Sequence, residues 1–175
     1  MRRHPRGVRR GHLRGVRDVN VGVRLFAEED ATAVAALIRT TLLTSNAADY
    51  PREELETIAE WYSAEGLVSR IGHCQRIVAV TRDATREVLG TAARRENHLE
   101  GFFVRPSWQG RGVGELLLST LEDAARADAM RVLWLESSLT AVGFYEKAGF
   151  ARIGEARDLG DGLVVEMRKR LDEAS

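Results

Sequence analysis

Residues 109–115 read QGRGVGE, and an apolar helical pattern begins directly behind them. Gly110, Gly112 and Gly114 remove side chains from alternate positions, which permits positive φ angles and lets main chain approach a ligand with no Cβ between. A helix N-terminus offers unpaired N–H groups and the positive end of the helix dipole. A phosphate-bearing ligand is therefore the natural partner of such a loop. The same glycines would also serve a tight strand-to-helix turn that holds nothing. Two nucleotide fingerprints do not fit. The loop lacks the Gly-Lys-Ser/Thr ending of a P-loop, and position 115, where GxGxxG needs its third glycine, is Glu115.

The elements that must position this loop follow from periodicity. VGVRLF from Val21 alternates as a strand, and EEDATAVAALIRTTLL repeats apolar residues at helical spacing. Pro51 and the acids behind it predict a second helix over about 51–62, and AEGLVSRIGH a short helix or connector. RIVAVTR and EVLGTAARR read as a hairpin turning near Asp83, and HLEGFFV as a further strand halted by Pro106. Val113, Leu116, Leu117, Leu121, Ala124 and Ala125 then share one helix face. RVLWLE is a continuous apolar run suited to a strand buried on both faces, with Trp134 in the core. LTAVGFYEKAG predicts a short helix stopped by Gly149, and FARIGEA and LVVEMRKR two final strands around the GDG turn at 160–162. The order predicts an α/β domain, a mixed sheet with helices on its faces.

At 175 residues the chain suits one domain, and no run approaches the ~18 apolar residues of a membrane span. The single Cys74 excludes an internal disulfide framework, and with His73 alone beside it no metal site is expected. A reducing cytoplasm is the default location. Net charge is zero, but the first twenty residues hold seven arginines and one acid, so the remainder is mildly acidic. Residues 1–20 read as an Arg-rich extension outside a domain spanning 21–172, with no signal or transit pattern. Such an arm can bind nucleic acid, but a disordered tail or over-extended start is the simpler reading.

VRPSWQGRGVGELLL resembles the acetyl-CoA-binding motif of the GCN5-related N-acetyltransferases (GNAT), Gln/Arg-x-x-Gly-x-Gly/Ala, with Gln109, Gly112 and Gly114 at its defined positions. FFVRP is similar to that family's strand ending in Val-x-Pro, and ESSLTAVGFYEKAGFARIGE to its later strand–helix–strand unit. The close match covers about residues 97–156. The resemblance implies the GNAT fold: a mostly antiparallel central sheet of six to seven strands with helices on both faces. It implies acetyl-CoA as co-substrate, no metal, and an acetyl transfer to a primary amine of a small molecule or peptide. Relatives often pair as homodimers; neither a membrane nor nucleic acid is an expected partner.

Residue by residue, the resemblance places the amides of Gly110, Arg111, Gly112, Val113, Gly114 and Glu115 on the pyrophosphate of coenzyme A, with Gln109 opening the loop. Arg111 would add a cationic contact or remain a solvated loop residue. Backbone groups of Phe102, Phe103 and Val104 would pair with the pantetheine arm, one N–H polarising the thioester carbonyl. The attacking amine must lose a proton, because an alkylammonium has a pKa near 10.4. The family's base positions hold Glu100 and His98, with Glu96 nearby; a solvent-facing strand residue and a turn residue are the plainer readings of the first two. Tyr145 occupies the position of the donor to the leaving thiolate. Ser138 stands where many relatives have asparagine against the pantetheine arm, and a hydroxyl replaces only part of an amide's bonding. That departure keeps a catalytically silent acyl-CoA-binding module as the alternative. Asp49, Glu53 and Glu54 read as helix-end charges rather than as a code for the acceptor.

Gly112→Asp, which sets a carboxylate where a diphosphate is expected, should weaken acetyl-CoA binding by about tenfold or more. Calorimetry giving wild-type affinity would remove the loop from the site.

Overall fold

The computed structural model describes residues 20–160 and 162–171. The arginine-rich extension therefore lies outside the described residues, save its last position. The chain opens with β1 (Val21–Leu25) and α1 (Ala31–Ser45). Between them, both oxygens of Asp30 accept from the Arg24 guanidinium at 2.6 and 2.7 Å. Next come α2 (Arg52–Trp61), one residue shorter at each end than its pattern predicts, and α3 (Ala64–Ser69), whose cap residue Ser63 accepts from Gly66 N–H at 3.3 Å.

Three strands follow: β2 (Gln75–Thr81), β3 (Val88–Arg95) and β4 (His98–Val104). Then come α4 (Val113–Ala127), β5 (Val132–Ser138) and α5 (Val142–Lys147). The chain closes with β6 (Ala151–Arg152), β7 (Arg157–Asp158) and β8 (Leu163–Arg170). Gly149, at φ 90°, ends α5 as its sequence position predicts.

The sheet order is β1-β2-β3-β4-β5-β8-β6, with β7 also on β8. All pairs are antiparallel except β4 with β5, which the α4 crossover makes parallel. The FARIGEA strand shrinks to β6 because Gly154, at φ 75°, turns the chain out of the ladder, and β7 forms just beyond it where no strand was predicted. The sheet thus has eight strands rather than six to seven.

Alternation along β2 sends Ile77 and Ala79 to one core with α4, and Val78 and Val80 to another with α1, α2 and α3. Helices lie on both faces, but the second set packs over β2, β3 and β4. This overturns the expectation for β5. Leu133, Leu135 and Ser137 are buried, whereas Trp134, Glu136 and Ser138 face a side of the sheet that α1–α3 do not reach and are only half-buried.

One bulge sets the phase of β4. Thr91 pairs with Phe103 and Ala93 with Glu100, so β4 carries an extra residue, and Gly101 there has φ 57°. Leu99 before the bulge and Phe102 and Val104 after it all reach the α4 core, while Phe103 packs with α1 and α2. A Cβ on Gly101 would lie 3.0 Å from both Nη atoms of Arg76 and from Tyr62 Oη. Gly101→Ala should therefore lose about 1–3 kcal/mol of stability. An unchanged urea midpoint would contradict it.

Candidate active site

β4 and β5 run side by side only where they start. His98 and Trp134 are their single register pair, and Trp134 N–H donates to Asn97 O at 3.0 Å. Beyond that point the strands part, and the gap opens into a cavity of about 540 Å³. Thr41, Tyr50 and Tyr62 wall it on one side, Phe144 and Tyr145 on another, with Gly110, Gly114 and Glu115 at the mouth. Tyr50 spans the gap. Its hydroxyl donates to Leu163 O at 2.5 Å and accepts from Leu139 N–H at 2.8 Å, tying the α1–α2 connection to β8 and to the end of β5.

Gly110 and Gly112 hold φ of 69° and 88°, and a Cβ at Gly110 would meet nothing within 4 Å. The first amide of α4 to find a carbonyl is Leu116 N–H, which donates to Gly112 O at 3.0 Å. Among the described residues, the N–H groups of Val113, Gly114 and Glu115 in the first turn find no backbone acceptor. The two neighbouring side chains have structural tasks: Val113 is fully buried in the core, and Gly114 leaves room for Phe144, whose ring would lie 3.0 Å from a Cβ there. Arg111 lies over the Trp108 ring at 5.4 Å.

The Gln109 amide nitrogen donates to Val104 O and to Ser45 Oγ, each at 3.0 Å, and Thr41 Oγ1 donates to Val104 O at 3.3 Å. Gln109 thus fastens the loop to the end of β4 and to α1. Arg105 N–H donates to Leu89 O at 2.9 Å, so by antiparallel alternation Phe103 also bonds toward β3, while Phe102 and Val104 turn their N–H groups toward the gap. Two of the three residues expected to offer main chain are thus placed to do so, and Phe103 contributes its ring, edge-on to Tyr62 at 5.4 Å.

Tyr145 is packed among Phe102, Phe144 and Phe150 at ring separations of 5.0–5.9 Å. Its side chain lines the cavity. Burial, with Tyr62 adding to it, raises the phenol well above its ordinary pKa, so the group stays protonated and keeps a proton to donate. Ser138 ends β5 on the same cavity, directly after the buried Ser137.

On the opposite face, Glu100 lines the cavity, with Oε2 3.3 Å from Arg95 Nη2 and 3.7 Å from His98 Nδ1. His98 stacks on Trp134 at 4.0 Å, and Trp134 Nε1 donates to Asn97 Oδ1 at 3.2 Å. Burial pushes the imidazole below its usual pKa, against the opposing pull of Glu100 and Glu136. Glu96 is set apart in the β3–β4 turn at φ 55°, its carbonyl accepting from Arg94 at 2.7 Å. Sequence reasoning passed over Tyr50, Tyr62 and Glu136. Glu136 was recoverable, since a parallel neighbour of β4 puts positions 134 and 136 beside 98 and 100. The tyrosines reach the cavity by helix packing, which leaves no mark on spacing.

A family model described as an acetyltransferase (GNAT) domain matches residues 46–171. The chain belongs to that family. Among curated GNAT relatives it is similar to a glucosamine 6-phosphate N-acetyltransferase of Trypanosoma brucei brucei, 31% identical over 100 residues, or 55% of this chain and 68% of that one. Among solved structures it resembles a GCN5-related N-acetyltransferase from Rhodopseudomonas palustris, with TM-score 0.74, 24% identity and coverage of 85% of this chain and 94% of that one. It also resembles the PaiA N-acetyltransferase of Thermoplasma acidophilum, solved with coenzyme A, with TM-score 0.72, 22% identity and coverage of 86% and 99%. These likenesses establish the GNAT fold and an acetyltransferase family.

Tyr50→Phe should destabilise the chain by about 1–2 kcal/mol, because the Leu139 N–H and Leu163 carbonyl lose their partner together. Equal urea midpoints for variant and parent would refute this strut.

Proposed function

We propose that the chain is an acetyl-CoA-dependent N-acetyltransferase that moves acetyl directly to the primary amine of a small molecule or peptide. The observation that carries this reading is Tyr145, buried among aromatic rings, on the cavity toward which Phe102 and Val104 turn their N–H groups with no strand to receive them. Amides of the 110–115 loop bind the diphosphate of the donor, and its pantetheine arm lies along Phe102 and Val104 as a strand would. An N–H in that gap draws charge from the thioester carbonyl as the amine attacks. Glu100 takes the ammonium proton.

The tetrahedral adduct collapses by breaking its C–S bond. An ordinary thiol titrates near 8.5, so a phenol raised by burial does not give up its proton fully; it stabilises the leaving thiolate by hydrogen bonding. Ser138 supplies the hydroxyl contact that replaces the amide found in many relatives. Cys74 is not among the residues lining the cavity, in keeping with direct transfer rather than an acyl-enzyme.

Thiol release from acetyl-CoA with glucosamine 6-phosphate, benzylamine and a lysine-containing tripeptide, followed by a wider amine screen, tests the reading. Tyr145→Phe should cut turnover by on the order of 100-fold with little change in acetyl-CoA affinity. Tight coenzyme A binding with no amine acetylated, and no effect of Tyr145→Phe, would leave only the silent acyl-CoA-binding module.

A further inference from the structure

The imidazole of His98 lies between two carboxylates from different strands. Nδ1 is 3.7 Å from Glu100 Oε2, and Nε2 is 3.6 Å from Glu136 Oε2. Both separations exceed a hydrogen bond, and a shift of about 0.7 Å closes each. The ring is fixed by its stack on Trp134, which Asn97 holds in turn. Glu136 is fixed from its far side, where Oε1 accepts from Arg157 Nη2 at 3.1 Å. One Glu136 oxygen is thereby left toward His98.

We infer that Glu136 and His98 form the proton outlet of the transferase, carrying the proton that Glu100 takes from the acceptor away to solvent. This rests on Glu100 as the base. The N–H bond of the acceptor ammonium breaks as an O–H bond forms on Glu100. Glu100 then protonates His98 Nδ1, while the Nε2 proton passes to Glu136, so the imidazole ends neutral with its tautomer exchanged. Glu136, 27% exposed at its side chain, releases the proton to water, and return of the ring to its first tautomer completes the cycle. Glu100, 26% exposed at its side chain in the free chain, lines the cavity, and a bound acceptor covers that opening, so the route through His98 then carries its proton.

The charges around His98 come from several elements. Glu100 and Arg95 belong to its own hairpin, the carboxylate raising its basicity and the guanidinium lowering it. Glu136 comes from β5, and Arg157 from β7 pairs with both Glu136 and Glu166. On β8, Glu166 and Arg168 stand in register with Glu136 and Trp134 and pair with each other at 2.7 Å. Tyr62, at the end of α2, feels both Glu100 and Arg76.

Two measurements on the full chain test the outlet. In the first, NMR follows the titration of His98 and needs no acceptor. Glu136→Gln should lower its midpoint by about half a pH unit or more, and Glu136→Asp should restore most of the shift. An unmoved midpoint means that Glu136 serves only Arg157, which overturns the proposal. In the second, turnover of the amine from the panel above that is acetylated fastest is measured in dilute buffer. Glu136→Gln and His98→Gln should each slow it by about tenfold, and added imidazole buffer should restore the rate. A slow variant that buffer does not rescue overturns the outlet even if the NMR shift is seen. Glu100→Gln separates the two ideas: a large loss that buffer does not repair supports Glu100 as base, whereas wild-type turnover removes that base and with it this route.

Discussion

The site depends on a parallel strand pair that holds together at one point. β4 and β5 meet at His98 and Trp134 and then separate, leaving the N–H groups of Phe102 and Val104 without a strand to bond. Such groups need a partner, and an extended ligand with amide groups of its own is a chemically suitable one. Placing the α4 N-terminus at the mouth of the same gap gives the ligand's anionic end its position. Two structural economies make the arrangement stand: the Gly101 bulge, which turns Phe102 and Val104 to the same core as Leu99, and the Tyr50 hydroxyl, which bonds across the opening.

The two faces of the sheet support different chemistry at this gap. On the α4 side the environment is apolar, so the Tyr145 phenol is surrounded by rings and remains neutral. On the other side α1–α3 stop over β4, and β5 and β8 carry charged residues on an open surface. In the proposed reaction, the phenol that donates and the carboxylate that exchanges protons with solvent thus stand on opposite walls of one cavity. Low dielectric on one wall and water near the other separate their roles without any change in residue type.

Several side chains in the glycine loop turn out to shape the protein rather than face a ligand. Gly114 is small because Phe144 packs on it, Val113 anchors the helix in the core, and Gln109 binds Val104 O and Ser45. The loop motif therefore records helix packing and loop anchoring as well as whatever the proposed phosphate contact asks of it. In the proposed site, the main chain of 110–115 is what these packing tasks leave to meet the anion.

The local elements and the loop were legible in the sequence, because hydrophobic period, prolines and glycines act over a few residues. The sequence placed α4, the β2–β3–β4 meander and the end of α5 at Gly149 close to where they lie, and the family motif carried Gln109, Gly114 and Tyr145 to the gap. It did not determine which strand faces stay open. The apolar run 132–135 reads the same whether a helix covers it or not, and only the reach of α1–α3 left Trp134 and Glu136 half-exposed beside His98. Tyr50 and Tyr62 likewise joined the cavity through contacts between segments far apart in the chain. Periodicity reports the environment along one element; which element comes to lie against another is settled by packing the whole domain.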